Sequence, residues 1–249
     1  MSDRFFCDAP IHGERVQLDG PEAHHVLHVM RARAGDRATL FDGSGAEFAA
    51  EIAKCGRAAV QLRILERREV NRELPFPLVV GVSLPKGDRQ KWLVEKLTEL
   101  GVTMLVPLFT ERGVAQPSAA ALDRLRRSVI EASKQCGRNR LMQIAPAQLL
   151  SAWIAQSAMP SAGALAGGSP PLETRRLIAH PVGQPLASIN LSQSLATYLA
   201  VGPEGGFTDD EVAAAQAATW QTVDLGPRIL RVETAAAALA AVVAAFAQP

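Results

Sequence analysis

The segment Val201-Gly202-Pro203-Glu204-Gly205-Gly206-Phe207-Thr208 places three glycines, a proline and a carboxylate between an apolar run and the start of an acidic helix. Glycine at the carboxyl end of a strand lets backbone N–H and C=O groups come close to a ligand, and that edge of an α/β sheet is the usual ligand side. The same glycines also suit a tight turn at positive φ, so residue type alone leaves both readings open. The turn lacks the Gly-Lys-Ser/Thr of a phosphate loop and the Gly-x-Gly-x-x-Gly of a dinucleotide site. Glu204 would repel phosphates and favours a cationic or hydroxyl-rich partner, a sulfonium nucleoside being one candidate among several.

A second loop, Leu225-Gly226-Pro227-Arg228-Ile229-Leu230-Arg231-Val232-Glu233-Thr234, precedes the alanine-rich run Ala235 to Ala247. Thr234 is the expected N-cap of a helix over Ala235 to Phe246, whose small residues permit close backbone packing. The run falls short of the roughly 20 residues that span a bilayer. Arg228, Arg231 and Glu233 are either solvated loop charges or part of a site. Both loops leave strands at one sheet edge, which favours a shared site.

The elements that must position these loops follow from periodicity. Leu78 to Leu84 reads as a strand buried on both faces. A helix over Arg89 to Leu100 carries Leu93, Leu97 and Leu100, with Gly101 as its cap, and Val102 to Phe109 is the next strand. The stripe Leu122, Leu125, Val129, Ala132 and Cys136 predicts another helix. Strands at Arg176 to Ala179, Leu195 to Val201 and Thr222 to Leu225 alternate with a helix over Asp209 to Ala218, which Thr208 and Glu211 open as a capping box. Ala155 to Pro171, rich in glycine and proline, reads as a loop.

Residues 1–72 differ in character. Turn signals recur at Gly13, Asp19-Gly20-Pro21, Gly35-Asp36, Asp42-Gly43-Ser44-Gly45 and Gly56. Short strands at Arg37 to Phe41, Glu47 to Ile52 and Ala58 to Leu65, with a helix over Glu22 to Met30, predict a small β-barrel-like domain. The charged stretch Glu66 to Glu73 marks the boundary, giving domains at 1–72 and 73–249.

The chain has 249 residues, with 26 Lys+Arg against 25 Asp+Glu, so any grip on nucleic acid must come from a local basic face. From Arg112 to Arg140 there are seven basic residues (Arg112, Arg124, Arg126, Arg127, Lys134, Arg138, Arg140) against two acids, Asp123 and Glu131. With 5% aromatic residues, broad base stacking is not expected, and recognition should favour RNA shape and phosphates. The three scattered cysteines suit a reducing compartment, and no export signal is visible, so a cytoplasmic protein is expected. His24 and His28 have the i, i+4 spacing of a zinc helix without its glutamate or a third ligand, and no metal is expected.

Three ordered motifs, Gln135-Cys136-Gly137-Arg138-Asn139-Arg140, Gly202-Pro203-Glu204-Gly205-Gly206 and Leu225-Gly226-Pro227-Arg228-Ile229-Leu230-Arg231 with Glu233-Thr234, resemble the signatures of the RsmE family. Lys86-Gly87, the helix end Glu95 to Gly101, and Glu111-Arg112 extend the likeness over nearly the whole chain. Members of that family are small-subunit ribosomal RNA uracil-N3 methyltransferases. The resemblance implies a SPOUT-type α/β domain with a C-terminal trefoil knot, an N-terminal PUA-like RNA-binding domain and a homodimer. Periodicity alone predicts an open doubly wound sheet, because knots are nearly absent from proteins.

By the same resemblance S-adenosylmethionine would lie against Gly202, Leu225, Gly226, Leu230 and Thr234, with Ala179 and His180 completing the pocket. Uracil N3 carries a proton and becomes nucleophilic only on losing it, so a cation near the carbonyl oxygens is required. Arg231 is the first candidate and Arg138, reaching across a dimer, the second. Glu204 or Glu233 would take the proton or orient an arginine. Arg31, Arg33, Arg112, Arg138 and Arg140 are the expected RNA contacts. The alternatives are a ribose 2′-O RNA methyltransferase of the same superfamily and a ribosome-assembly RNA-binding protein without activity.

Overall fold

The computed structural model describes residues 4–114, 117–158, 173–191 and 195–246. By contacts the chain divides into two compact units, the first running to Glu73 and including Ile130–Leu141, the second comprising Leu74–Val129 and the chain from Met142 onward.

The first unit is a half-barrel. Strands β1 (Arg4–Phe6), β2 (Arg15–Leu18), β3 (Arg37–Phe41), β4 (Ala46–Cys55) and β5 (Val60–Glu69) form one sheet in the order β1-β3-β4-β5-β2. Strand β4 alternates buried and partly exposed residues, as a half-buried strand must. It sends Ala46, Phe48, Ala50 and Ile52 into a core shared with Phe5, Leu18, Val26, Leu40, Val60 and Leu62.

Two expectations need correction here. The strand expected over Ala58 to Leu65 starts at Val60 and runs on to Glu69, pairing Glu66 to Glu69 with Ala49 to Ala46. The ladder holds while the charges face solvent as Arg67–Glu69 and Arg68–Glu66 ion pairs. The predicted helix over Glu22 to Met30 starts as α1 (Gly20–His24), then widens into a π turn at His25–Val29 and stops at Arg31, whose φ is +54°.

In the second unit β6 (Leu78–Val82), β7 (Met104–Phe109), β8 (Gln143–Ile144), β9 (Gln148–Leu149), β10 (Thr174–Pro185), β11 (Ala196–Val201) and β12 (Gln221–Asp224) pair in parallel, in the order β12-β10-β11-β6-β7-β8, with β9 also on β7. Helix α2 (Arg89–Glu99) buries Leu93, Val94 and Leu97 and ends at Gly101, whose φ is +82°. The remaining helices are α3 (Ala119–Cys136), α4 (Leu150–Ala158), α5 (Asp209–Ala217) and α6 (Val232–Ala245), and α6 packs on α2, β6 and β11. In β6, a Cβ on Gly81 would lie 2.5 Å from the Trp153 ring, so only glycine admits that indole against the sheet.

Residues 155–158, expected in a loop, are helical: Ile154 and Ser157 turn into the core and hold the last turn of α4. The rest of that predicted loop lies outside the described residues. Strand β10 is much longer than the predicted Arg176 to Ala179. Ala179 pairs with Val223, and Gln184 meets Val223 again after residues 180–183 bulge out. A Cβ on Gly183 would stand 2.5 Å from the Val223 nitrogen, so this crossing of two backbones requires glycine.

Candidate functional site

A parallel sheet gathers the carboxyl ends of its strands at one edge, and both glycine-bearing loops leave that edge, after β11 and β12. In the first loop the amide of Gly206, at φ +70°, donates to the Pro203 carbonyl at 2.8 Å. Phe207 is buried beside Gly202, where a Cβ would meet its ring at 3.2 Å. The loop then enters α5 through the predicted capping box: Thr208 Oγ1 accepts from the Glu211 amide at 3.2 Å, and Glu211 Oε2 from the Thr208 amide at 2.8 Å. The other Glu211 oxygen accepts from the Glu111 amide at 2.9 Å, and Arg112 donates to the Gly205 carbonyl at 2.8 Å. Arg112, expected on RNA, thus spends one nitrogen holding this loop.

The second loop turns at Gly226, φ +108°, whose amide donates to Asp224 Oδ1 at 2.9 Å. Leu225 and Leu230 are half-buried, whereas Arg228, Ile229 and Arg231 are exposed, Ile229 almost completely at 99%. Thr234 is not the N-cap. Arg231 holds that position with extended backbone, its carbonyl accepting from the Ala235 amide at 2.8 Å, because burial of Val232 and Glu233 draws the chain into the helix early. Thr234 therefore sits exposed in the first turn of α6.

One side chain joins the first loop to the head of α6. Arg89, the first residue of α2, places Nη2 3.2 Å from Glu204 Oε1 and Nη1 3.7 Å from Glu233 Oε2. The second contact is an ion pair too long for a hydrogen bond, and Glu233 Oε2 is buried with no hydrogen-bond donor. Glu204 is mostly exposed, while the Glu233 side chain is 9% exposed. Arg89 was not singled out in the sequence, where it reads as a helix-surface charge. Its signal is its place just after the strand-end turn Lys86-Gly87, on the same sheet edge as two carboxylates. Ala179 and His180 lie at the bulge of β10, where His180 Nδ1 accepts from the Val182 amide at 3.4 Å.

The Gln135 to Arg140 motif has a different place. Arg138 is 3% exposed and grips Glu73 with two nitrogens, Nε at 3.1 Å and Nη2 at 2.5 Å. Buried Asn139 donates to the Val70 carbonyl and accepts from Arg4 at 2.6 Å. Arg4 and Arg72 both donate to the Gly137 carbonyl and to Glu47. In the single chain Arg138 is therefore occupied inside the first unit, which corrects the expectation that it splays onto phosphates. Arg140 remains exposed, as do Arg31 and Arg33. Of the other basic residues in that stretch, Arg126 pairs with Asp123 and Lys134 with Glu22, while Arg124 and Arg127 are exposed.

Two expected outcomes follow in this unit. Arg138→Lys, which keeps the charge but loses the fork, should cost about 1 kcal/mol, read as a lower urea midpoint at unchanged slope. Burial pushes the Glu47 carboxyl up, but hydrogen bonds from Arg72 and Arg4 outweigh it and hold it below its ordinary value of 4.5. A depressed carboxylate stabilises the fold above its unfolded pKa, and that contribution is lost as pH falls through the folded value. Acid unfolding should therefore steepen below about pH 4.5, and Glu47→Gln should flatten that part of the curve.

A cleft of about 370 Å³ also lies in the first unit, lined by Phe6 to His12, Arg15 to Asp19 and Glu22. Burial, then Asp42, Glu22 and Asp8, push its Cys7 thiol up to about 12, so the thiol is a neutral wall group. Three carboxylates and no glycine turn at a strand end give it none of the features of the sheet-edge site. Among the described residues no group of three His, Cys, Asp or Glu is placed to hold a metal ion. The His24 and His28 rings lie 4.6 Å apart.

An RNA methyltransferase domain model matches residues 72–244, and an RNA methyltransferase PUA domain model matches residues 18–65. These two matches define an RNA methyltransferase domain with a PUA-type N-terminal region. A ribosomal RNA small subunit methyltransferase E of Synechocystis is 36% identical over 220 residues, covering 88% of this chain and 69% of the relative. That of Bacillus subtilis is 31% identical over 225 residues, covering 88% and 85%. The chain belongs to the ribosomal RNA small subunit methyltransferase E family. The Neisseria gonorrhoeae enzyme bound to S-adenosyl methionine superposes with a TM-score of 0.84 at 32% identity, covering 98% and 96% of the two chains. A putative methyltransferase of Legionella pneumophila in complex with SAM gives 0.85 at 29% identity, covering 98% of each.

Proposed function

We propose that the chain transfers the methyl group of S-adenosylmethionine to N3 of a uracil in small-subunit ribosomal RNA, as a cytoplasmic homodimer. The observation that carries this reading is the meeting of Glu204, from the loop after β11, and Glu233, from the head of α6, at Arg89. The residues there suit the cofactor: at Gly206 and Gly226 an added Cβ would meet nothing within 4 Å, so both turns leave space beside the backbone, and a buried Glu233 oxygen lacks a donor. Gly202, Leu225, Gly226, Leu230 and Thr234 would hold it, with Ala179 and His180 from the bulge. Bound there, it supplies an electrophilic methyl group.

The rest of the chemistry belongs to the chain. Arg231 is exposed beside these residues and would stabilise negative charge on the uracil carbonyl oxygens as N3 loses its proton. Glu204 or Glu233 would accept that proton, each already oriented by Arg89. Residues 1–72 would grip RNA through Arg31 and Arg33, and 73–249 would carry the transfer, with Arg112 and Arg140 as further contacts.

The passage of residues 180–185 against β12 supports the trefoil knot. The outward side of α6 supports the dimer: Ala237, Ala238, Ala241 and Val242 are half-exposed on a helix with no charge after Glu233, and Phe246, which follows it, is 59% exposed. No helix among the described residues is long and apolar enough to cross a membrane.

Mass spectrometry of ribosomal RNA from cells with and without the protein tests the assignment. Loss of one 3-methyluridine from the small subunit is expected. A lost ribose methyl, or no change, would refute it.

A further inference from the structure

We propose that Arg89 is the positioning residue of this site, binding the loop after β11 to the head of α6 through Glu204 and Glu233; this rests on the reading of the site just given. Three observations support it. The guanidinium fork divides between two carboxylates that come from different elements, with Nη2 3.2 Å from Glu204 in the loop after β11 and Nη1 3.7 Å from Glu233 in the first turn of α6. Two like charges brought to one site repel, and the nearly buried Glu233 would be an uncompensated charge without a cation beside it. Arg89 supplies that cation.

The second observation is that Arg89 stands where its own helix does not want it. The first turn of a helix favours acidic side chains, because its free N–H groups carry partial positive charge. Helix α2 has no acid in its first turn, and Asp88, at the N-cap, makes no side-chain cap bond. A cation at that position is a local conflict, and local conflicts concentrate where a residue serves a site. The third is geometric: two different guanidinium nitrogens each stand in ion-pair range of a different carboxylate, a division that a single ammonium does not offer.

The inner oxygen of Glu233 has an ion-pair neighbour and no hydrogen-bond donor, so Arg89 fixes the carboxylate in place while leaving an acceptor unfilled. Arg89 therefore acts through the two acids. It is not assigned contact with either reactant.

Calorimetric titration with S-adenosylhomocysteine tests this without turnover. Arg89→Met should weaken binding about tenfold and Arg89→Lys should recover part of that loss, as expected for a coupled charge network. Methyl-transfer kinetics should show the KM for S-adenosylmethionine raised and kcat lowered as well, because one of the two carboxylates that Arg89 positions takes the proton. In an E204Q/E233Q background, Arg89→Met should change binding by less than about twofold, because nothing remains to position. If Arg89→Met does not fold, Arg89→Lys and the exposed-site variant Glu204→Gln carry the test, each with a severalfold loss of binding. Wild-type-like binding in Arg89→Met, or an undiminished effect in the double background, overturns the proposal. Failure of the wild-type protein to bind S-adenosylhomocysteine would instead remove the cofactor site itself, and the proposal with it.

Discussion

Arg231→Ala should lower kcat for methyl transfer by about 10²- to 10³-fold, the range measured for loss of one donor to a developing anion, while S-adenosylhomocysteine binds within about twofold of wild type. Uracil N3 is a poor nucleophile until deprotonated, and the charge then spreads onto the flanking carbonyl oxygens. A cation is needed there, and Arg231 is the exposed guanidinium between the second loop and α6. Its structural role is carried by the backbone, since its carbonyl accepts from the Ala235 amide and its side chain makes no cap bond. Truncation at Cβ should therefore spare the helix start. Equal losses of binding and turnover would show that Arg231 holds the cofactor rather than the reacting base.

Gly183→Val should cost about 3 kcal/mol, the upper end for overpacking a closed site, and lower Tm by roughly 6–12 °C for a chain of this size. A Cβ at 183 would lie 2.5 Å from the Val223 nitrogen and 2.6 Å from the Thr222 carbonyl carbon. These are main-chain atoms of β12, whose Val223 is fully buried, so they cannot swing aside as a flexible side chain would. Displacing β12 would also move Leu225 and Gly226. Gly87→Ala is the control: its φ is +65° with nothing within 4 Å of the added Cβ, so the cost should be only about 1 kcal/mol of backbone strain. Equal Tm values for the two variants would show that the crossing at Gly183 is not tight.

These outcomes depend on features that differ in how far they can be read without coordinates. Strands β6, β7 and β11 and helices α2 and α5 are legible because their periodicity and caps are local; the Thr208/Glu211 box is four residues of sequence. The two ligand loops were legible for the same reason, since glycine at a strand end has few uses. Four things were not. Thr234 looks like a cap, but burial of Val232 and Glu233 starts α6 three residues earlier. Arg138 looks like a phosphate contact, yet its partner Glu73 is 65 residues away in the chain. Arg89 finds Glu204 and Glu233 only through the strand order, which a one-dimensional pattern does not contain. The path of residues 180–185 beside β12 belongs to the same kind, with Gly183 its one local trace.

The amide NMR spectrum of the protein during titration with S-adenosylhomocysteine tests most directly that the sheet-edge loops form the cofactor site. The largest shifts should fall on Gly202 to Gly206, Leu225 to Leu230 and the first turn of α6, with residues 6–22 unchanged. Shifts concentrated around the cleft of residues 6–22, with Gly202 to Gly206 and Leu225 to Leu230 unmoved, would contradict it.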